Sequence, residues 1–262
     1  MDIKFTIATV TYNAGKTILR TLQSVAEQTY PAVEHLIIDG CSTDATMEHV
    51  QRYVEQNCDA GHPHCITLVR EPDAGLYDAM NKALQAAKGH YIVFLNAGDK
   101  LHEPTTLQQL ATGLQSYNPG RLPAVVYGQT DIVDDEGRFL HRRRHTAPER
   151  LTSKSFLAGM LVCHQSFYAR TDLARQTPYD LHWRFSADYD WCIRIMRLAE
   201  RRNLTLLGSG LTLTDYLNEG LTTRNHRRSL MERLRIMAKH YGWLRTLAAH
   251  AWFLVRKLKI EN

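Results

Sequence analysis

Cysteine is scarce in this sequence: five in 262 residues, an odd number, scattered at Cys41, Cys58, Cys65, Cys163 and Cys192. A chain of this length can bury a sizeable core without staples, so reduced thiols and a cytoplasmic home are expected. Long apolar runs are missing too. The longest uncharged apolar stretch near the C-terminal end, Leu247–Val255, contains His250 and falls far short of the ~20 residues a membrane span requires. Asp2 and Lys4 precede a short strand-like run with no long apolar region behind it, so no secretory signal is expected. Neither G-x-G-x-x-G nor G-x-x-x-x-G-K-[ST] occurs, which leaves dinucleotide and P-loop readings without their defining loops. Internal repeats and low-complexity segments are likewise absent. What remains, 44% hydrophobic and 23% charged residues, is ordinary globular composition.

The net charge of +5 is unevenly spread. From Gly220 to Asn262 ten Lys and Arg face two Glu, a balance of +8, while the preceding residues balance at −3. A basic segment of this kind seeks an anionic surface or partner.

Hydrophobic periodicity predicts an alternating order over the first hundred residues. Strands are expected at Phe5–Val10, His35–Ile38, Ile66–Val69 and Tyr91–Leu95, with helices near Lys16–Gln28, from Ser42 or Thr43 toward Gln56, and Tyr77–Ala87. That rhythm implies right-handed crossovers and a mostly parallel sheet flanked by helices. Beyond it a helix at Pro104–Tyr117, a strand at Ala124–Tyr127, a polar hairpin turning at Gly137, a helix at Ala187–Arg202 and an extended Thr205–Leu213 are expected. From Leu230 the apolar positions 230, 234, 237, 241, 244, 248, 251, 255 and 258 form one helical stripe, broken at Gly242.

Ligands of open parallel sheets bind beyond the carboxyl ends of the strands. Thr11, Tyr12 and Asn13 end the first strand, Asp39 the second, Glu71 and Asp73 follow the third, and Asn96 and Asp99 follow the fourth. Turn-forming preference explains one or two of these acids, but not their repetition at strand ends. Carboxylates there suit ribose hydroxyls, a nucleobase, or a hard divalent cation carrying a diphosphate. A nucleotide diphosphate is therefore the inferred ligand class.

Four segments in order carry a resemblance: Thr11-Tyr12-Asn13, Ile38-Asp39-Gly40-Cys41-Ser42-Thr43-Asp44, Glu71-Pro72-Asp73-Ala74-Gly75-Leu76-Tyr77-Asp78-Ala79-Met80-Asn81-Lys82 and Phe94-Leu95-Asn96-Ala97-Gly98-Asp99. With Cys163-His164-Gln165 and Ala187-Asp188-Tyr189-Asp190-Trp191, they resemble family 2 glycosyltransferases of the GT-A fold, in particular the bacterial exopolysaccharide, colanic-acid type. The resemblance covers residues 3 to 225. It implies a GT-A domain over 1–225, with a nucleotide-binding half (1–100) and an acceptor half (101–225), followed by a basic amphipathic helical tail (226–262).

The implied activity is inverting transfer from a nucleotide sugar, with UDP as the expected carrier, to a hydroxyl of a glycan or lipid-diphosphate-linked acceptor. Thr11, Tyr12, Asn13, Asp39, Asp73, Asn96 and Asp99 would hold the donor, and Asp99 would bind Mn²⁺ or Mg²⁺. Gly98 stands where many members carry another acid, which weakens the expected metal site. Asp188 would be the catalytic base, in an Ala-Asp pair where many relatives read Glu-Asp. His164, Gln165 and Asp190 would touch acceptor or sugar, although helical spacing points 188 and 190 in different directions. The alternatives are a non-catalytic nucleotide-sugar-binding protein of the same fold and a nucleotidyltransferase. The nucleic-acid reading rests on the tail alone and lacks a motif.

Three other features carry less. Cys58 to Cys65 holds four zinc-type ligands in no common finger spacing and reads as a connecting loop. His141-Arg142-Arg143-Arg144-His145 reads equally as a phosphate grip or a charge-guarded edge strand. The tail combines its stripe with Trp243 and Trp252, and the charge excess favours core packing together with contact to an anionic membrane, a peripheral placement on the inner face of the cytoplasmic membrane; an oligomer interface is the rival reading.

Overall fold

The computed structural model of the chain describes residues 2–59, 64–117, 121–218 and 226–260. Strands Phe5–Thr11 (β1), Val33–Asp39 (β2), Cys65–Arg70 (β3) and Tyr91–Phe94 (β4) lie in the order β3-β2-β1-β4, every pairing parallel. Helices Ile18–Ala26 (α1), Thr46–Asp59 (α2) and Leu76–Ala86 (α3) make the crossovers. The strands read as apolar runs because both faces are covered. On β1, Phe5 and Ile7 join a core completed by Thr106–Tyr117 (α4), while Ala8 and Val10 point into a larger one with Met80, Phe94 and Trp191.

Beyond β4 the neighbours alternate in direction. Phe167–Arg170 (β8) runs antiparallel between β4 and Val125–Val133 (β6), and Leu206–Leu217 (β9) runs parallel to β6. Lys100–Leu101 (β5) and Phe139–Arg142 (β7) add antiparallel margins, completing a nine-stranded sheet. Gly137, at φ 82°, makes the expected turn between β6 and β7. Thr171–Arg175 (α5) and Ala187–Arg201 (α6) follow β8.

The C-terminal segment divides in two. His226–Tyr241 (α7) sends Ile236 and Met237 into the larger core, so this helix is packed with the sheet domain. Gly242, at φ 83°, breaks the rod before Trp243–Ile260 (α8). The expected single stripe does not continue across that break. On α8 the core-facing residues are Thr246, Ala249 and Phe253, whereas Leu244, Ala248 and Ala251 of the stripe face outward. A positive φ re-aims the second helix, so a period read through the glycine no longer marks one face. The boundary expected at 225 and the Cys58–Cys65 loop at 60–63 lie outside the described residues.

Candidate active site

The donor-side rim is built from local contacts. Asn13, held at φ 49°, donates its backbone N–H to Ser42 Oγ (2.9 Å), and its side-chain oxygen accepts from Thr43 N (2.9 Å). Asp39, fully buried, accepts from Ser42 N (2.9 Å) and from Ser42 Oγ, with Arg70 Nε 3.5 Å away. The carboxylate thus lies beneath the rim and organises the loop. Direct contact with a base or ribose, as the sequence suggested, would use the lone pairs that the Ser42 bonds leave open, once the rim shifts to uncover this buried carboxylate. Above it, Tyr12 stands 64% exposed. Gly40 has no room for a side chain: a Cβ there would meet Asp73 Oδ2 at 2.3 Å and Tyr12 Cδ2 at 3.4 Å. That close approach gathers Tyr12, Gly40 and Asp73 at one spot. Thr11 Oγ1 is buried nearby in sequence with no hydrogen-bond partner.

The other side of the site draws on distant segments. Asp99 accepts Gln165 Nε2 (2.8 Å) and the backbone N–H of Leu217 (3.0 Å). Burial pushes its carboxyl up to about 6 against the opposing pull of those two donors. His164 Nδ1 lies 3.2 Å from Asp188 Oδ2, and the Tyr77 hydroxyl donates to Asp188 Oδ1 (3.2 Å). His164 Nε2 stands 3.4 Å from Asn96 Nδ2. One tautomer satisfies both contacts: Nδ1–H donates to Asp188 and Nε2 accepts from the Asn96 amide. Burial would raise the Asp188 carboxyl, but the hydrogen bond from His164, helped by the charge of Arg233 of α7, holds it below the usual carboxylate range. Tyr77 lies within one of the motif segments but drew no role from the sequence; its ring is stacked on Tyr179, which stacks on Trp191.

Asp190 goes elsewhere. It is fully buried and pairs with Arg194 Nε (2.6 Å), His240 Nε2 (2.8 Å) and Lys239 Nζ (3.5 Å). The acceptor or sugar contact expected of it would have to draw on a carboxylate whose oxygens already serve α6 and α7. More of α7 serves the same end. Glu232 accepts the backbone N–H groups of Arg184 (3.0 Å) and Phe185 (2.8 Å), and Ser229 Oγ lies 2.9 Å from Ser186 Oγ. These contacts satisfy the segment entering α6, whose Ser186 N-cap supplies no side-chain cap of its own. Glu232, Ser229 and His240 carry no motif, and sequence reading missed them.

A hard cation wants oxygen ligands. Asn96 Oδ1 is buried without a hydrogen-bond partner, and the Asp99 N–H to Asn96 O bond (3.0 Å) closes one turn around both residues. Those two residues fit a divalent metal. Gly98 cannot add a third ligand: its φ is 107°, and a Cβ there would meet Leu217 Cδ2 at 2.8 Å. A second set of ligand-type groups, His102, Asp131 and Asp215, lies within 4.8 Å of one another. Within it Asp215 is paired by the chain itself, with Lys100 Nζ 2.9 Å and His102 Nδ1 2.6 Å away, while Asp131 Oδ1 is buried without a hydrogen-bond partner. The hydrogen bond to Asp215 raises the His102 imidazole above its ordinary value. Thr214, one residue from Asp215, bonds the Gln165 carbonyl, so strand alternation turns Asp215 to the opposite face. The charged run on β7 is an exposed margin, with Arg143 donating to the carbonyls of His145 and Leu161 (3.3 Å each).

Residues 6–180 match the family model described as glycosyl transferase family 2. A PGL/p-HBAD biosynthesis glycosyltransferase of Mycobacterium bovis (strain BCG / Pasteur 1173P2) is 30% identical over 191 residues, covering 72% of this chain and 68% of the relative. TuaG of Bacillus subtilis (strain 168), a glycosyltransferase provisionally assigned to teichuronic acid biosynthesis, is 32% identical over 156 residues, covering 60% and 58%. Among solved structures, S. aureus TarS 1–349 in complex with UDP superposes with a TM-score of 0.67 at 18% identity, over 98% of this chain and 72% of that one. The mannosyltransferase PcManGT of Pyrobaculum calidifontis, in complex with GDP-Man and Mn²⁺, gives 0.61 at 18% identity, over 97% and 76%. At such identities the structures share a fold with this chain.

Proposed function

The chain belongs to glycosyl transferase family 2, and from that premise we propose that it moves a sugar from a nucleoside-diphosphate sugar to an acceptor hydroxyl with inversion at the anomeric carbon. The observation that carries this reading is Asp188: a buried carboxylate, kept ionised, positioned by His164 and Tyr77 and next in line to Asn96 and Asp99. An ionised carboxylate accepts protons, and each Asp188 oxygen that receives one hydrogen bond retains a second lone pair. Asp188 takes the proton of the acceptor hydroxyl as that oxygen attacks the face opposite the leaving diphosphate. The Asp188–His164 bond fixes which way the carboxylate points, and its negative charge steadies the imidazole.

On the donor side Thr11, Tyr12, Asn13 and Asp73 line the wall for base, ribose and sugar, with Asp39 as the support beneath. Asn96 and Asp99 would hold Mn²⁺ or Mg²⁺, which when bound neutralises charge on the departing diphosphate. Uridine diphosphate is the carrier proposed, following the TarS complexes with UDP and UDP-GlcNAc. The acceptor is a glycan or lipid-diphosphate-linked glycan of bacterial surface polysaccharide synthesis, met at the inner face of the cytoplasmic membrane. Residues 1–100 form the donor half and 101–225 the acceptor half, with the tail from 226 facing the membrane.

The test is a panel of nucleotides and nucleotide sugars scored by thermal stabilisation with and without Mn²⁺, followed by turnover of the donors that bind. UDP-sugars should stabilise and be consumed, and Asp188→Asn should stop consumption while stabilisation persists. Donor turnover unaffected by Asp188→Asn would overturn the assignment of the base.

A further inference from the structure

We propose that the outward face of α8 is the surface by which this chain docks on an anionic lipid bilayer. The proposal rests on the preceding reading for the acceptor it would reach, and deepens it by naming the face and its chemistry.

At 100° per residue, Leu244, Leu247, Ala248 and Ala251 centre on the side of α8 opposite Thr246, Ala249 and Phe253. The inward three are occupied: Thr246 is fully buried, and Ala249 and Phe253 pack on the larger core. The outward side is exposed. Leu244 is 87% exposed, Leu247 56%, and Trp243 and Trp252, on opposite flanks of that side, 57% and 51%. A contiguous apolar surface of this kind, outside a core that is otherwise well filled, marks an interaction site.

Charge selects the occupant. The α8 sequence contains Arg245, Arg256, Lys257 and Lys259 and no acidic residue. Two copies of the chain meeting along α8 would set two acid-free basic segments side by side, whereas anionic headgroups complement such a segment. Tryptophan on each flank suits the headgroup boundary, where an apolar ring with a polar N–H is at home. Among the described residues no helix is long and apolar enough to cross a membrane. Helix α8 therefore lies in the plane of the interface, apolar side down. The hinge at Gly242 sets that side away from the sheet, and the contacts of α7 with the α6 entrance fix its direction relative to Asp188.

The test is co-sedimentation of the full chain with vesicles of phosphatidylcholine alone or mixed with phosphatidylglycerol, at low and high salt. Recovery with the anionic vesicles at low salt is expected, reduced but not abolished at high salt, because the apolar part is unscreened. Leu244→Gln combined with Leu247→Gln should weaken partitioning roughly ten- to hundred-fold, and Arg245→Gln a few-fold. Both leucines are exposed, so folding survives; donor-nucleotide binding measured on the same preparations separates loss of docking from loss of the site. Equal vesicle recovery of the double variant and the unaltered chain would overturn the proposal. So would a dimer in vesicle-free solution that the double variant dissociates, since the face would then be a protein interface.

Discussion

The two sides of the site hold their carboxylates by different means. On the donor side Asp39 is fixed by Ser42, three residues on, and Asp73 accepts from Gly75 N two residues on. Across the site Asp99 is held by Gln165 and Leu217, Asp188 by His164 and Tyr77, and Asp190 by Lys239 and His240. Most of those partners lie dozens of residues away in the chain. Local turns preform the proposed donor rim, whereas the proposed base depends on tertiary packing, including a helix from the basic tail. Damage to packing should therefore reach catalysis before it reaches donor binding.

The sharpest probe of that division is Asp188→Asn. Loss of a general base costs about 10²–10⁴ in rate, and kcat should fall by about a thousand-fold with the donor Kd within a factor of two. Next is Asp190→Asn. Burial would raise the Asp190 carboxyl, but His240, Arg194 and Lys239 outweigh it and hold it down at about 2 against an ordinary 3.8. A depressed carboxyl adds stability above its unfolded value and loses it as pH falls toward the folded one. The contribution is on the order of 2 kcal/mol at neutral pH, lost between about pH 4 and 2. Urea melts should show the variant less stable at pH 7, with the gap closing through that window.

Asp39→Ala tests the local side. Releasing Ser42 and Arg70 should weaken the donor about tenfold, the cost of losing hydrogen bonds to a charged group, with kcat at saturating donor little changed. Titration calorimetry with UDP beside steady-state rates would separate the two. The mildest change is Glu232→Gln, which leaves the amide oxygen to serve one of the two α6-entrance N–H groups. A few-fold drop in kcat at unchanged donor Kd is expected; an equal loss in donor affinity would erase the distinction between the two sides.

Sequence periodicity reached as far as local order does. Strands β1 to β4 and helices α1 to α4 were legible because each carries its own apolar period or run. The two-residue β5 is too short to show one, the four-residue β8 ends in Arg170 where the equally short β4 is apolar throughout, and their places depend on β9, β4 and β6. At the site, motif order brought Asn96, Asp99, His164, Gln165 and Asp188 into view, and the structure gathers them. Tyr77 had a signal, since it stands inside the Glu71–Lys82 segment. Ser229, Glu232 and His240 had none, because an ordinary amphipathic helix supplies them. Asp190 was legible as turning away from Asp188, but its partners, 49 and 50 residues along the chain, were not.

Gly98 closes a route for redesign. Placing an acid there looks like the simplest way to strengthen the proposed metal site. Yet any side chain at that position would be strained by the φ of 107°, and it would also have to push aside the Leu217 side chain, whose Cδ2 would lie 2.8 Å from the new Cβ. An evolutionary or engineered path to a two-carboxylate site in this protein has to reshape the turn through Gly98 first, so the single acid is locked in by the backbone as well as by its own codon.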